Sequence, residues 1–215
     1  MKDKPNEWVA ISDLMAGVMA VVMLLLVMSV LQKSYSDIQH KKELAKQVAG
    51  RVSPVTNLLN RVNAQFSQQQ VTGLFSVDVN AGRITMKENI FAKGSACVTE
   101  VAIDALKSVD ALASEFLKNN INGRIYVEGY TDNIPVKSPV TNFEKNCTVY
   151  DDNYTLSAAR AREARRYLIG NFDETLAKRV IVAGYGESRP IAGFDASDPR
   201  NRRVEVLFTT ESVSR

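Results

Sequence analysis

The stretch Leu14–Leu31 contains no charged residue, and this run restricts the fold more than any other feature of the chain. Its length meets the ~18-residue threshold for a transmembrane helix. Val9, Ala10 and Ile11 extend it to a comfortable spanning length, and Trp8, the sole tryptophan, stands where an interfacial aromatic anchor is expected. A cleaved signal peptide is the rival reading. It requires a shorter apolar core, a net positive charge ahead of it and a small-residue cleavage site behind it. Here Lys2 and Lys4 are offset by Asp3 and Glu7, so the sequence predicts a short tail over 1–7 and a retained anchor over 8–32. Lys33, Lys41, Lys42 and Lys46 follow the span and outnumber the two lysines before it. Taken alone, that bias leaves the C-terminal part in the cytoplasm.

An acid stands at the start of this segment. Asp13 lies five residues inside Trp8, roughly 7–8 Å at 1.5 Å per residue. An aspartate at the centre of a spanning helix costs about 2.5–3.5 kcal/mol, and less toward an end. One reading makes Ser12 or Asp13 the N-cap of a helix beginning at Leu14. The other starts from Asp13, Ala16, Gly17 and Ala20, spaced i, i+3, i+4 and i+7 on one stripe of small residues. Small residues permit close helix–helix approach in lipid, and intramembrane acids face protein or water. On this reading Asp13 faces a partner subunit, where a proton or a metal cation can neutralise it. Met15, Met19 and Met23 read as packing.

Beyond the span the chain is mixed and polar, with a net charge of +3. Val48, Val52, Val55, Leu59, Val62 and Phe66 alternate four- and three-residue steps, as heptad core positions do. They predict a helical linker or stalk over 33–72, either self-paired or lying on the following domain, with Gly50 and Pro54 expected to interrupt it. Over 73–215 the patterns predict a folded domain. A hairpin turns at Asn80-Ala81-Gly82 within Phe75–Glu88. A helix then places Val101, Ala105, Val109, Leu112, Phe116 and Leu117 on one face. A buried strand over 123–130, a polar insertion over 133–153, a second helix over 155–169 and strands over 180–186 and 202–209 complete the series. Strands alternating with helices predict an α/β sandwich with the helices on one mixed sheet.

The segments "GYTDNIP", "NYTLSAARA", "VAGYGESRPI" and "DPRNRRVEV" occur in that order, and "ENIFAKGSA" precedes the first long helix of the domain. Together they resemble the peptidoglycan-binding domain of the outer membrane protein A family over about 76–209. The polar insertion after Asp132 departs from the family pattern. The resemblance implies a domain that grips the diaminopimelate residue of a peptidoglycan stem peptide. It implies that Asp132 receives the ammonium group and Arg160 the carboxylate. Asn153 and Leu156 match the motif that shapes the pocket, and Asn201 and Arg202 match the "NRR" segment. Residue chemistry agrees, because a zwitterionic end needs one fixed anion and one fixed cation, and arginine forks carboxylates bidentately. Arg160, near the inward edge of its helix, also needs a counter-charge, for which Asp132 at a strand end is the expected partner. A purely structural ion pair between the two is the plainer alternative.

Peptidoglycan recognition implies a domain outside the membrane, which outweighs the lysine bias. In that compartment Cys97 and Cys147, the two cysteines, are expected to form a disulfide, with two unpaired thiols as the alternative. Closing a loop of ~50 residues contributes on the order of 4 kcal/mol. Arg162, Arg165 and Arg166 read as a solvated face and not as a nucleic-acid patch. "GYG" at 184–186 lacks the third glycine of a dinucleotide loop. His40 is the sole histidine, so neither a histidine-rich metal site nor a Ser/His/Asp or Cys/His constellation is expected, and the chain reads as no enzyme.

The whole arrangement of span, membrane aspartate, linker and wall-binding domain resembles the B subunits of flagellar-stator-like ion-driven motors. That resemblance implies a homodimer within a pentameric ring of multi-span A subunits. It assigns Asp13 as carrier of a proton or sodium ion and implies no resident cofactor. It implies a single-pass bacterial inner-membrane protein with a cytoplasmic N-terminus and a periplasmic C-terminal domain. The short tail before Trp8 resembles the Zorya anti-phage defence class more than the flagellar one. A passive envelope tether is the alternative from another class.

Overall fold

The computed structural model describes residues 7–210 and, within them, the side chains of all but 7–10, 13 and 44–53. The side chains of Asp13, Val48 and Val52 therefore lie outside the described residues, as does the tail over 1–6. The chain divides into two compact units, Met1–Gly50 and Arg51–Arg215.

In the first unit the backbone is helical from Glu7 onward, as part of α1 (Glu7–Gln68). Its Leu14–Glu43 stretch is long and apolar enough to cross a membrane. Leu14, Leu24, Leu25 and Leu26 are all exposed, a continuous apolar surface that a water-soluble monomer does not carry.

The second unit begins at Arg51, well before residue 73. Its core takes in Val55, Leu58, Leu59, Val62 and Phe66 from α1, which are buried among sheet and helix residues. The seam is therefore a helix lying on its own domain, the second of the two arrangements the spacing allows. Pro54 sits inside α1 and does not interrupt it. A proline inside a helix costs ~3 kcal/mol. Five buried apolar side chains directly after it, each contributing about 1.5–3 kcal/mol, outweigh that cost.

Five strands form one mixed sheet: β1 (Phe75–Asp78), β2 (Arg83–Lys87), β3 (Gly123–Tyr130), β4 (Val180–Gly184) and β5 (Arg203–Thr210), in the order β1-β2-β5-β3-β4. β1 and β2 are the predicted hairpin, with Gly82 at φ +71° in its turn. The β3–β4 pair is parallel and the other pairs are antiparallel. The helices α2 (Glu100–Asn119), α3 (Phe143–Asn146), α4 (Asn153–Leu168) and α5 (Glu174–Ala177) complete the unit. α4 supplies the crossover that a parallel pair requires. α2 buries Ala102, Ala105, Leu106, Val109, Leu112, Ala113, Phe116 and Leu117. Val101, expected on that face, is 59% exposed, and Ala102 takes the inward position in the first turn.

α4 lies unusually close to the sheet because two strand positions carry no side chain. A Cβ on Gly129 would stand 1.9 Å from the Ser157 carbonyl oxygen, and one on Gly184 would stand 2.6 Å from the Ala158 Cβ. Neither neighbour can give way without moving the helix. Gly129→Ala is expected to lower stability by about 3 kcal/mol or more, at the upper end of overpacking penalties. Thermal unfolding followed by circular dichroism checks this, and a midpoint equal to that of the wild type would contradict the packing described.

Candidate ligand-binding site

Strand register assembles the site. Lys87 of β2 pairs with Arg203 of β5, which pairs with Tyr130 of β3. One step beyond this row stand Glu88, Arg202 and the Thr131–Asp132 segment, side by side at one end of three adjacent strands. β3 and β4 both end there, and the carboxyl ends of parallel strands are where open α/β sheets hold ligands. Backbone bonds fix the segment after β3: Thr131 N–H donates to Gly186 O (2.8 Å) and Asn133 N–H to Ala196 O (3.1 Å).

α4 starts at the same end. Asp152 caps it, its Oδ1 accepting from Thr155 N–H at 2.6 Å, and these bonds to Thr155 hold the Asp152 carboxyl below the usual carboxylate range. The first helical residue, Asn153, is buried. Its Nδ2 donates to Asp132 O (3.3 Å), Ile134 O (3.0 Å) and the Glu187 carboxylate (2.7 Å), tying together the loops after β3 and β4. Leu156, one turn on, is buried as well.

Two cations enter the site under opposite conditions. Arg202 is ion-paired on both sides. Its Nε and Nη2 fork the Glu88 carboxylate at 2.5 and 2.6 Å, and its Nη1 donates to Asp132 Oδ2. The Glu88 bond first, and the Asp132 bond after it, push its pKa above the ordinary arginine value. Arg160 is only 3% exposed and forms no ion pair among the described residues. Its Nε donates to Ser95 O at 3.0 Å, and its guanidinium lies 5.4 Å from the Phe91 ring centre. Burial pulls its pKa down, against the fields of Glu88, Tyr150 and Asp132. The expected Asp132–Arg160 pair is therefore not formed. Asp132 spends one oxygen on Arg202, because register brings Arg202 alongside it while Arg160 is held by the Ser95 carbonyl.

This leaves open valences of both signs. Asp132 Oδ1 accepts no hydrogen bond among the described residues, and the terminal nitrogens of Arg160 donate none. An anion–cation pair with unspent hydrogen-bonding capacity suits a zwitterion: ammonium toward Asp132, carboxylate toward Arg160. On the other side of Arg202, a cavity of ≈ 320 Å³ is lined by Lys87, Glu88, Ile191, Pro199, Arg200 and Arg202, among others.

Asn201 has a different part. It is fully buried, with Nδ2 donating to Asp195 O and Ala196 O and Oδ1 accepting from Ile191 N–H, so it builds the loop before β5. Glu88, Phe91 and Ser95 carry no signal in the sequence beyond their place in "ENIFAKGSA". Arg165 does not belong to a solvated face. Its Nε donates to Val180 O and its Nη2 to Ala177 O, clamping the start of β4. Among the described residues no group of three or more His, Cys, Asp or Glu could hold a metal ion.

Cys97 and Cys147 form a disulfide with Cα atoms 5.1 Å apart. It ties the insertion, with α3 at its tip, to the turn that carries Ser95.

The family model described as the OmpA family matches residues 90–203. The chain is 33% identical over 128 residues to motility protein B of Bacillus subtilis, covering 58% of this chain and 44% of that protein, so it spans less than half the length of this relative. It is 25% identical over 221 residues to Zorya protein ZorB of Escherichia coli, covering 96% of this chain and 88% of that protein. A solved MotB-like protein of Desulfovibrio vulgaris has the same fold, with a TM-score of 0.55 at 23% identity over 74% of this chain and 96% of that one.

Proposed function

The chain belongs to the OmpA family, and on that premise we propose that it is the wall-anchored, ion-carrying stationary subunit of an inner-membrane rotary motor of the Zorya defence type. Its span lies in the inner membrane with the N-terminus cytoplasmic and the OmpA-family domain periplasmic. A multi-span A subunit, present as a ring of five, surrounds a homodimer of this chain. Asp13 takes up and releases the transported proton or sodium ion. The domain holds peptidoglycan through a stem-peptide diaminopimelate, with Asp132 receiving the ammonium group, Arg160 the carboxylate, and Asn153, Leu156 and Arg202 shaping the pocket.

One observation carries the reading. The similarity to Zorya protein ZorB runs over 96% of this chain, so it takes in the apolar helix as well as the OmpA-family region. A stationary part is mechanically required in such a machine, because a ring turning against an untethered partner transmits no torque. A flagellar stator role is the second reading, and it is favoured by the higher identity to motility protein B. Against it stands the extent of the match, which takes in 58% of this chain where the ZorB similarity takes in 96%.

The detergent-solubilised full chain is expected to sediment with purified peptidoglycan sacculi and to be released by free diaminopimelic acid. A chain that stays in the supernatant at every sacculus concentration would end the wall-anchor reading.

A further inference from the structure

The disulfide and the candidate ligand cation are linked through a short chain of hydrogen bonds. Arg160 Nε donates to the carbonyl of Ser95, the one protein hydrogen bond that orients this guanidinium among the described residues. Ser95 belongs to the turn that ends at Cys97: its Oγ accepts from Cys97 N–H at 2.9 Å, and Ala92 N–H donates to Cys97 O at 3.0 Å. The same turn is laced to the other half of the bridge. Ser95 Oγ and Ala96 N–H both donate to Asn146 O, each at 3.0 Å. From α4, two residues on from Arg160 and on the exposed side of the helix, Arg162 Nη2 donates to Cys147 O at 3.0 Å. The turn that ends at Cys97, through Ser95, and Cys147 itself thus each accept from an arginine of α4.

We propose that the Cys97–Cys147 disulfide is a positioning element for Arg160, so that tight binding of the peptidoglycan stem peptide requires the oxidised bridge. The inference rests on Arg160 being the ligand's carboxylate receptor. A dithiol reductant opens the bridge by thiol–disulfide exchange. Two electrons and two protons pass to the cysteine sulfurs, which become two thiols, while the reductant closes to its own disulfide. What then holds the 142–147 turn is its hydrogen bonds from Ser95, Ala96 and Arg162 and the Arg162 contact on the Phe143 ring, with no buried side chain behind them. Phe143 is 54% exposed, none of the residues of α3 is buried, and Cys147 sits at φ +55°, a left-handed backbone that a non-glycine residue leaves when released. Such a segment belongs to the low-stability end of a fold. Once it moves, Ser95 loses its bonds to Asn146, and its carbonyl no longer fixes the Arg160 fork. The domain's core lies elsewhere, in α1, α2, α4 and the sheet, and stays intact.

The test compares the full chain in detergent before and after reduction with dithiothreitol, with bridge opening verified by thiol counting. Affinity for sacculi and for free diaminopimelic acid is expected to fall about tenfold or more on reduction and to return on reoxidation. Cys97→Ser combined with Cys147→Ser is expected to match the reduced state. Cooperative thermal unfolding is expected to persist in both. Arg160→Lys supplies the discriminating background, because lysine lacks the Nε–H that Ser95 holds. In that variant, opening the bridge is expected to change affinity less than twofold. Unchanged affinity on verified reduction of the wild type overturns the proposal. So does loss of cooperative unfolding, which would make the bridge a support of the fold, and so does an equal loss in Arg160→Lys. An oxidised wild-type chain that binds neither probe overturns the underlying wall-binding reading, a separate outcome.

Discussion

Arg160→Met is expected to lower affinity for sacculi by about a hundredfold and yet leave the domain as stable as the wild type or more so. The two effects have one cause. Arg160 is a buried cation without an ion-pair partner among the described residues, and burial already depresses its pKa. Desolvating a charge costs several kcal/mol when no partner offsets it, and a hydrophobic replacement of similar volume often stabilises. Against this stands the single bond to Ser95 O, worth about 1–3 kcal/mol once that carbonyl is left unpaired. A bound carboxylate reverses the balance in the wild type. Removing one member of a desolvated charge pair costs about 2–5 kcal/mol of binding, and each 1.4 kcal/mol is a factor of ten. Sacculus co-sedimentation and thermal unfolding, measured on the same preparation, check both halves. A variant that binds normally removes Arg160 from the site, and one that melts well below the wild type makes it a structural residue.

Asp13→Asn is expected to abolish ion flux through membranes carrying this chain with the proposed multi-span A subunit, while membrane insertion and sacculus binding stay unchanged. The two side chains are nearly isosteric, but a carboxamide neither gains nor loses a proton near neutral pH and is a poor ligand for a monovalent cation. Insertion cannot suffer, because the substitution removes the costliest group in the span. Flux into vesicles, read with a pH-sensitive or sodium-sensitive dye, decides the matter. Flux equal to the wild type would leave a passive tether as the better description of the protein.

The domain was legible in the sequence wherever periodicity and turn chemistry agreed. The hairpin at Asn80–Gly82, the face of α2 and the strands 123–130 and 180–184 all appear within a residue or two of expectation. The limits of the domain were not legible, since the a/d spacing from Val55 to Phe66 serves self-pairing and packing on a sheet equally well. Ion pairing failed for a related reason. Asp132 follows a strand end and Arg160 lies on the buried side of a helix, as periodicity implies, but which charges meet depends on register among three strands remote in sequence, and register brings in Glu88 and Arg202. Arg165 eluded the reading because its acceptors are backbone carbonyls, which leave no trace in residue type.

The order β1-β2-β5-β3-β4 places β5, the last of the strands, in the middle of the sheet. The pairs β1–β2 and β3–β4 share no edge with each other. They can be joined only when Arg203–Thr210 slots between them. Until then the exposed margins of β2 and β3 are sticky templates for any passing extended segment, so emergence of this final ribbon is the step at which the domain escapes aggregation.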